Sequence, residues 1–231
     1  MAEEKTREPQ YQAHVALRDE VGLEQLGLRA NATWRQDPRR LVFALARYKF
    51  VSKMFSGKNR VLEIGCGDAF GTRLVQQEVG SVVVVDFDRI FLKDVTDRME
   101  REHWGRWELE VKYHNMLSGR VPGDFDAVYC LDVLEHIEKK DEHVFIKNIV
   151  DSLATDSGVA IIGMPSLQSQ AYASEGSKEG HVNCKDGTEL KNFLLEYFEN
   201  VFVFSMNDEV VHTGFYPLAH YLLALCVGKK Q

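Results

Sequence analysis

An α/β fold around a doubly wound, largely parallel sheet is the architecture this sequence predicts, and three observations carry it. Arg60-Val-Leu-Glu-Ile-Gly-Cys-Gly-Asp-Ala-Phe-Gly71 reads as a buried strand that breaks into a glycine turn just before a helix. Ser81-Val-Val-Val-Val85 and Val159-Ala-Ile-Ile-Gly163 are continuous apolar runs, the pattern of strands covered on both faces. From residue 60 onward strand-like and helix-like segments alternate across short linkers, which yields right-handed βαβ units.

The elements follow in order. Met1 to Gln10 is polar and acidic, so it reads as an unstructured start and not as a signal peptide. Residues 11–28 suit a short, weakly amphipathic helix ending near Gly27. A stronger helix opens at Asp37 as N-cap with Pro38 at its first position and stops before Gly57. Its apolar residues Leu41, Val42, Leu45, Phe50, Val51 and Phe55 recur at helical spacing. The alternation then gives strand 60–64, helix 70–79, strand 81–86, helix 89–102, strands 107–113 and 124–131, helix 139–153 and strand 157–163. Residues 164–186 are too polar and glycine-rich for the core, and a long loop after such a strand is usually functional. Helix 187–198, strand 200–205, a connection through 206–216 and a last strand near 218–227 complete the chain. The expected organisation is an N-terminal helical extension, 1–57, covering the active site, and a ligand-binding domain, 58–231.

Composition narrows the function. A chain of 231 residues with 45% hydrophobic and 27% charged residues has the make-up of an ordinary soluble domain. Cys66, Cys130, Cys184 and Cys226 form no Cys-x-x-Cys pair, which argues against a disulfide framework or zinc ribbon and makes a reducing cytoplasm the expected compartment. The apolar run Tyr216 to Val227 contains Pro217 and His220 and is too short to span a bilayer, so no membrane role is expected. A net charge of -7 speaks against nucleic-acid binding, which rests on phosphate neutralisation. The charge is uneven, however: nine basic residues between Arg29 and Arg60 face a single acid, Asp37. That segment is either a solvated helix face or a basic wall toward an anionic substrate.

The glycine turn points to a particular ligand. Its Gly-x-Gly-x-x-x-Gly spacing over Gly65, Gly67 and Gly71 is one residue longer than the dinucleotide fingerprint. Glu63, at the strand end, would also confront a pyrophosphate with a carboxylate. A cationic ligand fits better, and S-adenosylmethionine carries both a sulfonium and an ammonium. Asp86 lies 19 residues beyond Gly67, at the end of the second strand, where a carboxylate can accept from both ribose hydroxyls. Phe87 beside it joins the same set, whereas Asp88 reads as a helix cap. Past the third strand, Asn115 can bond an adenine amino group and the Met116 backbone a ring nitrogen. Phe125-Asp-Ala-Val-Tyr-Cys-Leu-Asp-Val-Leu-Glu-His-Ile137 then supplies a buried strand, Asp132, and an acidic turn closed by His136.

Together these residues resemble the class I S-adenosylmethionine-dependent methyltransferases. Val61 to Gly67 is similar to the first motif of that superfamily, Val85-Asp86 to the second, and Leu131 to Ile137 to the segment after its fourth strand. The resemblance covers about residues 58–227. It implies a Rossmann-like sheet of seven strands with a reversed last strand. It further implies methionine contacts from the Gly65 region and Leu131, ribose contacts from Asp86, and adenine contacts from Asn115-Met116. Asn115 departs from the more usual aspartate.

Methyl transfer from a sulfonium is an in-line displacement, so alignment and exclusion of water matter most, with a base where the acceptor must lose a proton. His136, His181 and His212 are the candidates. His136 is either near the chemistry or a turn residue capping the next helix. His181 is either in the acceptor pocket, where many small-molecule members of the superfamily have a similar histidine, or an orderer of its loop. His212 reads more simply as structural. His181-x-x-Cys184 has a ligand-like gap but no partner motif, so no metal is expected. Trp34, Tyr48 and Tyr172 could close over a sulfonium through cation–π attraction. Residues 34–51 and 205–215 also resemble bacterial methyltransferases of capsular polysaccharide and its phosphoramidate decoration, which would enlist Arg40 and Arg47 for an anionic acceptor. The expected activity is O-methylation of a small phosphorylated or sugar-like molecule. N-methylation of an amino sugar, or cofactor binding without turnover, are the alternatives, and the oligomeric state stays open.

Overall fold

The valine and isoleucine runs become the centre of an eight-stranded sheet in a computed structural model that describes residues 5–101 and 109–230. Its strands are β1 (Arg60–Ile64), β2 (Ser81–Asp86), β3 (Leu109–Tyr113), β4 (Ala127–Leu131), β5 (Val159–Pro165), β6 (Phe198–Asn207), β7 (Val210–His212) and β8 (Tyr221–Lys229). They lie in the order β3-β2-β1-β4-β5-β8-β6-β7. β3 through β5 are parallel, while β8 runs antiparallel to both β5 and β6. This is the reversed strand that the resemblance implied, in a Rossmann-like sheet. The eighth strand, β7, was read from sequence as part of a connection. Asp208, at φ 51, turns the chain tightly enough for three residues to pair back onto β6.

The helices are α1 (Gln12–Val21), α2 (Leu28–Gln36), α3 (Pro38–Met54), α4 (Thr72–Gln76), α5 (Arg89–Arg101), α6 (Glu142–Ser152), α7 (Glu175–Gly180) and α8 (Gly187–Leu194). Two differ from expectation near the N-terminus. Gly22, at φ 81, ends α1 early, and Gly27 opens a separate helix, α2, that the sequence pattern did not show. α3 begins as predicted, with the Asp37 side chain accepting from Arg39 N at 3.2 Å and Pro38 in the first turn. α8 ends sooner than the expected 198, because Phe198 already starts β6. The polar stretch 164–186 is not featureless: it holds a 3-10 turn at Gln168–Tyr172 and α7. Parts of the predicted helix 89–102 and strand 107–113 lie outside the described residues.

Core packing covers both faces. One side seats α6 and α8 through Phe145, Ile146, Ile149, Leu190 and Leu194. The other seats α3, with Val51 and the capping residue Phe55 buried against Tyr129, Met206 and Leu223. Of the N-terminal helices, α3 is therefore the one fastened to the sheet by shared core.

A buried polar knot fixes the end of the 164–186 loop. Lys185 is 2% exposed; its Nζ meets Glu142 Oε2 at 2.7 Å and donates to Asn183 Oδ1 at 3.2 Å. Asn183 also donates to Glu142 at 2.7 Å, and Val182 N and Asn183 N donate to the Glu135 carbonyl at 2.8 and 3.0 Å. Burial alone would raise the Glu142 carboxyl, but the bonds from Lys185 and Asn183 hold it low. Lys185→Met leaves that carboxylate buried without its cation. We expect a loss of about 3–5 kcal/mol in urea unfolding at pH 7; a loss below about 1 kcal/mol would show that the pair is dispensable.

Candidate active site

The parallel strands β1, β2, β3 and β4 all release their chains at one rim, and the strand order reverses between β1 and β4. Such a switch point opens a crevice outside the strand ends. The glycine turn enters it directly from β1. Gly65 and Gly67 adopt φ values of 70 and 52, and a side chain on Gly65 would collide with Val133. Gly65 N and Cys66 N donate to Val85 O, at 2.8 and 3.2 Å, which holds the turn against the end of β2.

Asp86 closes that connection. Its Oδ2 accepts from Gly67 N at 2.9 Å and its Oδ1 from Asp88 N at 2.8 Å. A single carboxylate thus fixes both the glycine turn and the bend after β2. Phe87, next along, is 68% exposed at the rim. Asn115 and Met116 follow β3 as expected, but the Asn115 amide oxygen accepts from Leu117 N at 2.9 Å and caps a short 3-10 turn. The oxygen assigned to adenine from sequence is engaged by backbone, and Met116 is buried beneath it.

Glu63 lies deeper than the sequence suggested. It is 2% exposed and accepts from Tyr48 Oη at 3.0 Å, Thr72 Oγ1 at 2.5 Å and Tyr129 Oη at 2.7 Å. Tyr48 in turn rests its ring against Gly71, where no side chain would fit. Burial pushes the Glu63 carboxyl up to about 7, against the pull of the three hydroxyl donors.

The N-terminal helices build the facing wall. Asp68, in the glycine turn, accepts from Ala30 N at 2.7 Å, and Gly27 packs against it, so the turn itself seats the start of α2. Arg47 from α3 places Nη1 2.8 Å from both oxygens of Asp132, and Arg29 from α2 adds a contact at 3.1 Å. Asp132 follows Leu131 at the end of β4 in a left-handed conformation, φ 57, that a non-glycine residue adopts only under constraint. Burial alone would raise its carboxyl, and the guanidinium groups of Arg47 and Arg29 outweigh it and hold it low. Between wall and turn lies a cavity of about 300 Å³, lined by Arg29, Arg40, Arg47, Tyr48, Cys66, Asp68 and Asp132 among others.

The histidines divide. His136 and His181 come together, with ring centroids 5.2 Å apart, a few residues past Asp132. His181 is held low by burial and by the neighbouring His136. His212 sits on β7 at the edge of the sheet; its Nδ1 accepts from Gly214 N at 2.9 Å and its Nε2 meets Asn207 Oδ1 at 2.9 Å. Both ring nitrogens thus serve the hairpin. Tyr172 is 89% exposed and Trp34 half exposed, so neither closes over the crevice in this conformation. Sequence reasoning missed Arg29, Asp68 and the acceptor of the Arg47 pair, because these contacts join residues 38 to 103 positions apart.

Comparison with known proteins agrees with this geometry. Residues 61–156 match a family described as a methyltransferase domain. The chain is 29% identical over 91 residues to the mitochondrial ubiquinone biosynthesis O-methyltransferase of Schizosaccharomyces pombe, covering 39% of this chain and 33% of that protein. It therefore spans about a third of the length of that relative. In fold it is similar to the N-methyltransferase NodS from Bradyrhizobium japonicum WM9 in complex with S-adenosyl-L-homocysteine, with TM-score 0.61, 19% identity, and 84% of this chain and 91% of that one covered. The DhpI-SAM-HEP complex is also similar, with TM-score 0.61, 16% identity, and coverage of 94% and 95%. Residues 61–156 thus match a methyltransferase domain, and the fold is similar to that of methyltransferases solved with S-adenosylmethionine or S-adenosylhomocysteine.

The Glu63 carboxyl sets a pH dependence whose sign is fixed. Its folded pKa, about 7, stands above the ordinary 4.5, so the folded state binds this proton more tightly than the unfolded chain does. Its contribution to stability is present below about 4.5 and is lost as pH rises through 7, by about 3 kcal/mol in all. Glu63→Gln should remove that loss. In urea unfolding the variant should gain on the native chain between pH 5 and pH 8; an equal difference at both pH values would show that Glu63 does not titrate there.

Proposed function

We propose that the chain is an S-adenosylmethionine-dependent methyltransferase of a small molecule, acting on an oxygen of a phosphorylated, phosphoramidate or sugar-like acceptor. The observation that carries this reading is the Asp86 carboxylate bonded to Gly67 N at the crevice. Each Asp86 oxygen there accepts one backbone bond and keeps a lone pair for a ribose hydroxyl. With the ribose at Asp86, Gly65 and Leu131 would hold the methionine end of the cofactor.

Beyond it the cavity favours a small, negatively charged partner. Arg29, Arg40 and Arg47 line it against the two carboxylates of Asp68 and Asp132, so the lining keeps a net positive charge. Arg40 lines the same cavity on its exposed side. An anionic acceptor, or the carboxylate of the cofactor itself, would complete that balance. His136, four residues after Asp132, and its neighbour His181 are the candidates to handle an acceptor oxygen. The chain's own work is alignment and exclusion of water; the cofactor supplies the activated methyl group. The likeness to the ubiquinone O-methyltransferase supports oxygen as the acceptor atom, and the fold of NodS keeps nitrogen as the second reading.

Two measurements test this. Asp86→Ala should weaken S-adenosylmethionine binding in calorimetry by about 10- to 100-fold, the worth of one to two lost hydrogen bonds to a charged group; unchanged affinity would remove the ribose assignment. Release of S-adenosylhomocysteine should occur with acceptors that carry a phosphate or phosphoramidate group and not with otherwise identical neutral ones. Turnover of the neutral member alone would dismiss the basic wall.

A further inference from the structure

The turn after β4 buries a carboxylate whose side-chain oxygens find no hydrogen-bond partner among the described residues. It belongs to Glu135, which has no exposed surface. Leaving such a group unpaired in the interior forfeits its hydration with nothing in return.

What faces Glu135 is the histidine pair. One ligand atom from each of Glu135, His136 and His181 lies within 4.8 Å of the other two. His136 Nε2 is 3.9 Å from Glu135 Oε1. The remaining ring nitrogens are already committed. His136 Nδ1 is 2.8 Å from the Gly180 carbonyl, which can only accept, so Nδ1 carries the proton. His181 Nδ1 is 2.8 Å from Gln170 Oε1. Gln170 is oriented by its own amide nitrogen, which donates to Ser166 O and Ser169 Oγ at 3.3 and 3.4 Å. Both imidazoles are therefore held in the tautomer that leaves Nε2 with a free lone pair, and both by outer contacts of the kind that orient metal ligands.

We propose that Glu135, His136 and His181 bind a divalent first-row cation. Two neutral imidazoles and one carboxylate, drawn from one turn and one loop, suit such an ion and leave coordination positions open. Cys184, which sequence spacing had suggested as a companion of His181, is not in the set. The loop carrying His181 is locked to the Glu135 carbonyl and, through Lys185, to Glu142, so the three ligands are preorganised without the ion.

The site also deepens the functional reading, on which this part rests. An acceptor hydroxyl on the cation loses its proton to solvent near neutral pH. Its oxygen then forms the C–O bond to the methyl carbon as the S–C bond breaks, and that electron pair stays on the sulfur of S-adenosylhomocysteine. The histidines act as ligands in this scheme, and no protein base is required.

Manganese titration of the full chain, followed by the spin resonance of free Mn²⁺, tests the site. One ion per chain should be retained, and the melting temperature should rise with Mn²⁺ concentration. Glu135→Gln and His181→Ala should each abolish retention, with circular dichroism confirming the fold. Gln170→Ala, which removes only the orienting contact to His181, should weaken it about tenfold. No retention of Mn²⁺, and none of Zn²⁺ in the same assay, at millimolar concentration overturns the inference, as does native affinity in both ligand variants. S-adenosylmethionine affinity, measured on the same samples, separates the two readings. Cofactor binding without either metal refutes only the cation site, and metal retention without cofactor binding refutes only the methyltransferase assignment.

Discussion

Arg47 on Asp132 is the contact on which the rest of the site depends. It joins α3 to the end of β4, and the Arg47 guanidinium also lies 3.8 Å over the Tyr221 ring on β8. The Tyr221 hydroxyl accepts from Asp132 N at 3.2 Å, closing a small circuit. Within it the left-handed backbone of Asp132 is determined from several sides, as a strained residue has to be. Without that pair α3 could still lie on the sheet through Val51 and Phe55, but the cavity would lose its charged floor. The aromatic and aliphatic contacts decide that the helices dock; the ion pair decides where.

Two buried glutamates show how differently one residue type can be accommodated. Glu63 is surrounded by three hydroxyls that donate to it, so its burial is largely met from within the fold. Glu135 is equally buried and meets none among the described residues. Native proteins rarely tolerate such a group without a reason outside the chain itself. The first is a keystone between β1, β4 and α3; the second behaves as half of an interaction.

Much of the fold was legible in the sequence because it is written in local patterns. Valine and isoleucine runs, the glycine turn and Asp37-Pro38 each encode an element within a dozen residues. The edge strand β7 escaped because three residues carry no periodicity, and α2 because its face is mostly polar and Gly27 looked like an end. The site was legible only in part. Asp86 and the glycines have fixed spacing, and they lie together at the crevice. Arg29, Asp68 and Glu135 gain their meaning from contacts across long separations, and no window of sequence shows that a carboxylate will be left unpaired. The segment Asp132-Val-Leu-Glu-His136 was visible as a cluster of polar residues, but its division into an ion-pair acceptor and two further ligand-bearing side chains needed the loop that returns with His181.

The position of α3 has one more consequence, for how such a chain can change. The matched methyltransferase stretch begins at Val61, after the helices that supply Arg29, Arg40 and Arg47 to the cavity wall. One wall of the cavity is thus encoded ahead of the matched stretch, while the glycine turn and Asp132 within it form the other. Exposed positions on α2 and α3 can drift and alter what the cavity admits while the glycine turn stays untouched. That freedom is bounded, because Val51 and Phe55 are tied to the shared core and Arg47 to Asp132. New specificities in this architecture should therefore arise by substitution along the helices more readily than by their replacement.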